Sequence, residues 1–281
     1  QLVAAREGMS DTAAPEISVS LSEDGTALTG KVFDAVDGGS LATLRVTLDG
    51  KALSFTYDHQ TGALHAALPA ADGKAHRIAV IAGDASGNLA RTGLSITPSE
   101  LSAAFPDTDG HWANAAVSFL KASGVTNGDD LGNFNPDSPI TRQEFAVLLC
   151  RWLAPAQDTS SVELPFADSN RIADWAKDGV HAMYALGVTK GSYDGYGQLC
   201  FLPTATISRQ EALTMLGRLL ELGYAAPEWS FTDSDAIADW ARGHINTLCA
   251  IGALSGYADG GIHPTEPITR AQVAATLFSM T

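Results

Sequence analysis

Basic residues are scarce in this sequence: 17 Lys+Arg stand against 32 Asp+Glu in 281 residues, a formal net charge of −15. Sequence-independent affinity for phosphate backbones comes from clustered cations, so this balance argues against a nucleic-acid partner. Any anionic partner has to be caught by a few local cations. No stretch approaches the roughly 20 apolar residues that span a bilayer, which argues against membrane insertion. The opening QLVAAREGMSDTAAPE lacks the basic-then-apolar order of a secretion signal, so the chain reads as cytosolic or as the mature piece of something longer. Cysteine is sparse: Cys150, Cys200 and Cys249 form neither a CxxC pair nor an even framework, and are expected as free thiols. The seven histidines are scattered, and within 1–100 no carboxylates cluster with His or Cys at catalytic spacing. The expectation is therefore no catalytic residue, no cofactor and no metal site.

What is present is enough apolar residue, 45%, for ordinary cores in about two domains. After a tail at 1–14, residues 15–98 alternate apolar and polar side chains, as in Ile17-Ser18-Val19-Ser20-Leu21 and Leu44-Arg45-Val46-Thr47-Leu48. Ile78-Ala79-Val80-Ile81 and Leu94-Ser95-Ile96-Thr97 are read the same way. Period two implies one buried and one wet face. Turn residues punctuate the runs at Glu23-Asp24-Gly25, Asp49-Gly50-Lys51, Asp72-Gly73 and Ser86-Gly87-Asn88, giving about seven strands and an all-β sandwich. The segment GDASGNLARTGLSI at 83–96 resembles the closing hairpin of bacterial immunoglobulin-like modules, although the cysteine pair and core Trp of antibody domains are missing. Asp84 and Asn88 are read as turn residues that bond to backbone rather than as a cation site.

Beyond residue 103 the pattern turns helical and repeats itself. Phe105-Pro106-Asp107 with Trp112-Ala113 aligns with Phe166-Ala167-Asp168 and Trp175-Ala176, and with Phe231-Thr232-Asp233 and Trp240-Ala241. Gly124, Gly187 and Gly252 follow the tryptophans by twelve residues, and Gly128, Gly191 and Gly256 by sixteen. Each unit then carries a proline (Pro136, Pro203, Pro264), an isoleucine (Ile140, Ile207, Ile268) and an arginine (Arg142, Arg209, Arg270). The Trp-to-Arg spacing is 30, 34 and 30, and the extra four residues fall between Gly191 and Pro203, where a surface loop is expected.

In each unit a first helix is predicted with a buried stripe that includes the tryptophan, such as Trp112, Ala116, Phe119 and Leu120. Asp174 and Asp239 are expected as its N-caps, with Asp109 in the first unit. The glycines twelve residues on suit a left-handed C-terminal position. The second helix opens with Thr141-Arg142-Gln143-Glu144, Ser208-Arg209-Gln210-Glu211 or Thr269-Arg270-Ala271-Gln272, a capping box each time. The arginine is out of place there, because a cation in the first turn opposes the helix dipole by about 0.3–1 kcal/mol. Two readings stand side by side: an anion site at the helix N-terminus, or structural pairing with Asp107, Asp168 or Asp233.

These units resemble the S-layer homology (SLH) repeat, whose signature runs F-x-D, W-A, G-[IV]-x-x-G-Y-x-D-G-x-F-x-P and I-T-R-x-E. Departures are Asp129 in place of the tyrosine, the insertion around Tyr193-Asp194-Gly195-Tyr196, and Gln272 in place of Glu. The resemblance implies a domain over 103–281, with repeats at 103–160, 164–224 and 229–281, folded as an all-α pseudo-threefold trimer of helical repeats. It further implies grooves that bind secondary cell-wall polysaccharide through a pyruvylated amino sugar. Carried over, Arg142, Arg209 and Arg270 meet the carboxylate; Asp174, Asp239, Trp112, Trp175 and Trp240 contact the sugar; and Gly128, Gly191 and Gly256 bring backbone N–H groups close. The chain is thus expected to be the C-terminal piece of an extracellular, cell-surface protein, anchored non-covalently to the cell wall. The alternatives are an appendage of an extracellular glycan-acting enzyme, or an adhesive surface protein whose immunoglobulin-like domain binds a protein partner.

Overall fold

The computed structural model describes residues 11–22, 25–70, 75–96, 105–153, 159, 161–220 and 228–280. The tail at 1–10, the turn residues Glu23-Asp24 and Asp72-Gly73, the connection Ser99–Ala104 and the unit boundaries at 98, 103, 160, 224 and 281 lie outside them.

Among the described residues the first half forms eight strands: β1 (Glu16–Leu21), β2 (Ala27–Phe33), β3 (Thr43–Leu48), β4 (Lys51–Ala52), β5 (Thr56–Tyr57), β6 (Ala63–Ala67), β7 (His76–Gly83) and β8 (Leu89–Ile96). They make two antiparallel four-stranded sheets, in the orders β1-β2-β6-β5 and β4-β3-β7-β8. Asp49 and Gly50 both adopt positive φ, 50° and 76°, and so form the tight two-residue turn that pairs Leu48 with Lys51. Leu28, Val32, Val46, Leu64, Ile78 and Val80 fill the space between the sheets.

The alternation fails on β7, which is buried on both faces. Ile78, Val80 and Ala82 face the inter-sheet core, while Ala75 and Ile81 join the core of the helical region. The outer face of this sheet is thus covered by helices rather than wetted. Arg45 and Arg77 reach from it to the carbonyls of Leu220 and Phe278, near the ends of two helices, where cations suit the dipole. The Arg77 guanidinium also lies 4.1 Å from the Phe278 ring centre.

The second half contains α1 (Asn114–Ala122), α2 (Arg142–Leu153), α3 (Lys177–Ala185), α4 (Arg209–Leu220), α5 (Asp239–Ala250) and α6 (Arg270–Met280). Helix α2 packs on α3, α4 on α5, and α6 returns to α1, so each second helix leans on the first helix of the following unit. Gly124, Gly187 and Gly252 take φ of 75°, 68° and 68° just past the first helices. There Val125 donates to Leu120 O at 2.8 Å and Gly124 to Lys121 O at 3.0 Å, closing the helix as the sequence indicates.

The expectation of an all-α pseudo-threefold trimer is overturned. The inserted residues of the middle unit form a hairpin, β9 (Ser192–Tyr193) with β10 (Leu199–Cys200), and 3-10 turns sit at Pro106–Thr108, Ser169–Arg171, Asp174–Ala176 and Ser234–Ala236. β-bridges link Pro139 to Thr269, Thr141 to Thr206 and Ser208 to Pro267. The region mixes helix and strand, and its units are not equivalent.

Those bridges locate the centre of the region. Ile140 N donates to Ile268 O, Ile268 N to Ile207 O and Ile207 N to Ile140 O, each at 3.1 Å, a closed ring of three backbone hydrogen bonds between fully buried residues. The recurring Pro-x-x-x-Ile-x-Arg spacing follows. The first two N–H groups of each second helix are taken by a neighbouring unit: Arg142 and Gln143 by Ala205 O and Pro203 O, Arg209 and Gln210 by Glu266 O and Pro264 O, and Arg270 and Ala271 by Ser138 O and Pro136 O.

Candidate binding grooves

The capping boxes form as predicted. Thr141 N and Oγ1 approach Glu144 Oε2 at 2.8 and 2.6 Å, Ser208 N and Oγ approach Glu211 Oε2 at 2.9 and 2.7 Å, and Thr269 N approaches Gln272 Oε1 at 3.1 Å. With boxes and neighbouring carbonyls occupying the first two N–H groups of every second helix, and the box hydroxyl taking the third in α2 and α6, the helix N-termini are not open rings of donors for an anion. That part of the anion-site reading is corrected.

The aspartates of the F-x-D motif are not the arginines' partners either. Each clamps two successive backbone N–H groups of its own loop: Asp107 holds Phe134 and Asn135 (2.9 and 2.6 Å), Asp168 holds Phe201 and Leu202 (2.7 and 2.8 Å), and Asp233 holds Ile262 and His263 (2.8 Å each). The second residue of each pair, Asn135, Leu202 or His263, sits at positive φ (56°, 59°, 52°), a conformation costly for a branched or bulky side chain. The carboxylate holds it there. We expect Asp168→Asn, which turns one acceptor into a donor facing an N–H, to cost about 2 kcal/mol in urea unfolding, given the 1.5–3 kcal/mol of hydrogen bonds to charged groups. An unchanged midpoint would rule out the clamp.

The arginines instead cross to the next unit. Arg142, 6% exposed, donates through Nε to Phe201 O at 2.6 Å and through a terminal nitrogen to Glu211 Oε1 at 2.6 Å. Arg270 donates through Nε to Phe134 O at 2.7 Å and lies 3.9 Å from Glu144 Oε1. The carboxylate in both cases belongs to the neighbour's capping box. Arg209 should meet residue 272 in the same way, but that residue is Gln272, whose amide donates to the Tyr257 hydroxyl at 2.8 Å. Arg209 is left stacked 4.8 Å from the Tyr257 ring, with a buried Nε that has no partner and no carboxylate in ion-pair distance among the described residues. Burial pulls its pKa below the usual guanidinium range, opposed by Tyr257, Cys249 and Glu266.

Two grooves open beside the paired arginines. The first, about 680 Å³, runs between Arg270, Glu144, Arg151 and Trp175. The second, about 270 Å³, runs between Arg142, Glu211, Arg218, Lys190 and Trp240. Glu144, Val147, Leu148 and Arg151 are one face of α2 at i, i+3, i+4 and i+7, and Glu211, Thr214, Met215 and Arg218 are the matching face of α4. The reading from sequence missed Arg151, Arg218 and Lys190; for the two arginines the heptad offset from the capping-box glutamates was the available signal, while Lys190 directly precedes Gly191. In the third unit the offset falls on Ser279, so that face carries no second arginine.

The tryptophans depart from the predicted buried stripe. Trp112, Trp175 and Trp240 are 64%, 59% and 52% exposed, and Trp175 and Trp240 form groove walls. Trp112 and Trp175 precede α1 and α3 rather than lying in them, and Trp240 is the second residue of α5. Asp174 and Asp239 are the first residues of their helical turns, not caps; the cap positions are Ala173 and Ala238 without a side-chain bond, and in the first unit Ala113 takes the place expected of Asp109. Exposed Asp174 pairs with Lys177 at 2.6 Å, outside both grooves as lined above. Gly128 and Gly191 line one groove each, but packing explains them: a Cβ on Gly191, at φ 72°, would lie 2.6 Å from the Phe166 ring and 2.8 Å from Cys200 O. Gly256 packs similarly on Phe231 without positive φ. All three cysteines are free, and burial pushes the Cys249 thiol up to about 12.

Two histidines on this frame should titrate in opposite senses. Hydrogen bonds to Asp259 (2.8 Å) and then Glu266 raise the pKa of His263, whereas burial, then Arg218 and Lys190, lower that of His244. Two-dimensional NMR titration should find His263 still charged above pH 6.5 and His244 neutral below it. By linkage, the His263 contribution to stability is complete below about pH 6.5 and is lost as pH rises through its folded pKa. For His244 stability falls as pH drops from about 6.5 through its lowered folded pKa. Coincident midpoints would contradict both environments.

These observations define a repeat module whose adjoining units share basic, tryptophan-walled grooves. Its family follows from comparison: the S-layer homology domain model matches residues 104–146, 165–213 and 230–274, and the C-terminal region of the chain carries SLH domain repeats. The surface-layer 125 kDa protein of Lysinibacillus sphaericus is 31% identical over 173 residues, 60% of this chain and 14% of that protein. The S-layer protein sap of Bacillus anthracis is 28% identical over 174 residues (60% and 20%), and the exoglucanase XynX of Acetivibrio thermocellus 26% identical over 199 residues (69% and 18%). The chain thus spans a fifth or less of these relatives. It is a cell-surface, cell-wall-associated extracellular protein. No helix among the described residues is long and apolar enough to cross a membrane.

Proposed function

We propose that the SLH repeats anchor a surface protein to the cell wall without covalent attachment, by holding an acidic secondary cell-wall polysaccharide in the two grooves at Arg270 and Arg142. The observation that carries this reading is the pairing, twice, of a half-exposed tryptophan with a two-arginine wall in one register. An indole face stacks on a sugar ring, and guanidinium groups accept a carboxylate such as that of a pyruvylated amino sugar. Arg151, and Arg218 through the donors not held by Val188 O, take the carboxylate, while Arg270 and Arg142, committed to the neighbouring unit, shape the wall and supply charge. The chain binds and does not catalyse. Relatives named exoglucanase, amylopullulanase and endoglucanase, beside those named S-layer proteins, are consistent with one kind of anchor serving proteins of different activity.

With the net charge at −15, long-range attraction to an anionic polymer is weak, and affinity comes from two local sites on one polymer chain. The test is co-sedimentation of the chain with Gram-positive cell walls before and after chemical removal of the secondary polysaccharide. Binding should disappear on removal and be competed by a pyruvylated amino sugar but not by its carboxylate-free analogue. Binding indifferent to both would end this reading.

A further inference from the structure

At one end of the two-sheet unit, outside the grooves, three aspartates from distant parts of the sequence converge. Asp11 precedes β1, Asp34 follows β2 and Asp84 follows β7, and one carboxylate oxygen from each lies within 4.8 Å of the other two. Asp34 is fully buried, at 0% exposure, and Asp84 is at 2%. The Oδ1 atom of Asp34 accepts the N–H groups of Val36 and Asp37 at 2.7 and 2.8 Å, but its Oδ2 is buried without a hydrogen-bond partner. Oδ2 of Asp11 is buried and unpartnered as well. None of the three forms an ion pair among the described residues. A buried carboxylate with an empty oxygen is expensive, and three together add mutual repulsion.

We propose that Asp11, Asp34 and Asp84 bind one calcium ion, joining the segment before β1 to the loops after β2 and β7. The donors are all oxygens and all anionic, which selects a hard cation over zinc or copper. Calcium–oxygen distances of about 2.3–2.6 Å allow oxygens of one shell to lie up to about 4.6–5.2 Å apart, so three oxygens within 4.8 Å of one another fit one calcium ion; calcium also tolerates irregular shells of six to eight oxygens, whereas magnesium demands near-ideal octahedral geometry. The surroundings prepare the site. Asn88 donates its amide to Asp84 Oδ2 at 2.7 Å and to the Asp11 carbonyl at 3.1 Å, and its backbone N–H to Asp84 Oδ1 at 2.8 Å. The turn function read for Asp84 and Asn88 from sequence is thus real and also aims Asp84 at the other two carboxylates. Separations of 23 and 50 residues kept the third and first members out of any linear motif.

The experiment is calcium titration of the EDTA-treated full chain by isothermal calorimetry, with thermal unfolding at matched ionic strength. The expected result is one saturable site with a dissociation constant in or below the range of about 10⁻⁴–10⁻³ M typical of extracellular modules, and a calcium-dependent rise in Tm that magnesium does not reproduce. Asp34→Asn and Asp84→Asn should each weaken binding by at least about tenfold, while Asp137→Asn, on an exposed carboxylate, should leave it unchanged. Asp11→Asn serves where the buried variants fail to fold, since among the described residues the Asp11 side chain holds only Ala13 N, at 3.1 Å. No saturable heat at millimolar calcium, an equal response to magnesium, or wild-type affinity in the folded aspartate variants would each overturn the proposal.

Discussion

Replacing Trp175 and Trp240 together with alanine should reduce cell-wall binding by at least about a hundredfold and leave the thermal unfolding of the chain nearly unchanged. Both halves of that expectation come from exposure. The rings are 59% and 52% exposed, so truncating them opens no cavity, and neither donates a hydrogen bond that holds the fold. Each ring walls a groove whose other side carries arginines, the arrangement in which an aromatic anchor contributes about 2 kcal/mol or more to binding. Two anchors on one polymer compound, because loss of either converts a bivalent attachment into a single weak one. Trp112→Ala, beside the unit whose helix carries Ser279 at the second-arginine offset, should cost much less. If the double variant still sediments with walls as the parent does, the grooves are not the attachment site.

The contrast between what the sequence disclosed and what it concealed follows the range of each interaction. Capping boxes and C-terminal glycines are local: their donors and acceptors lie within about six residues, so the spacing of Thr141 and Glu144, or of Leu120, Gly124 and Val125, was sufficient to locate them. The ring of isoleucines, the crossing of Arg142 to Glu211 and the three-aspartate cluster join residues tens of positions apart, and a recurring residue type reveals only that something is required there. Periodicity misled in two places for one reason. It reports that a residue is apolar, not which surface covers it. On β7 a second cover, the helices, buries the face that alternation assigned to water, while Trp112, Trp175 and Trp240 stand before or within the first turn of their helices and stay more than half exposed. The recurring arginine is an electrostatic misfit within its own helix, and the neighbour that resolves the misfit has no linear signature.

Arg142→Met should lower stability by about 2–3 kcal/mol, whereas Arg209→Met should change it by less than about 1 kcal/mol. The two residues occupy the same register and are equally buried, at 6% and 7%, so burial alone predicts no difference. Their partners differ. Removing Arg142 strands the Phe201 carbonyl and Glu211 Oε1, both bonded at 2.6 Å; Glu211 Oε2 keeps its capping bonds from Ser208 and the residue retains 30% exposure, so only part of the 3–5 kcal/mol cost of breaking a fully buried pair is felt. Arg209 has no such pair to lose. Its Nε is already unsatisfied, the residue in the partner's place is a glutamine that bonds elsewhere, and Tyr257, Cys249 and Glu266 only partly offset the cost of its burial, so an apolar chain of similar length keeps the packing and removes a buried charge. Restoring the carboxylate by Gln272→Glu should stabilise the parent but not Arg209→Met, a coupling that a double-mutant cycle reads directly. Equal losses for Arg142→Met and Arg209→Met in urea unfolding would show that the guanidinium stems, rather than the cross-unit ion pairs, hold these boundaries together.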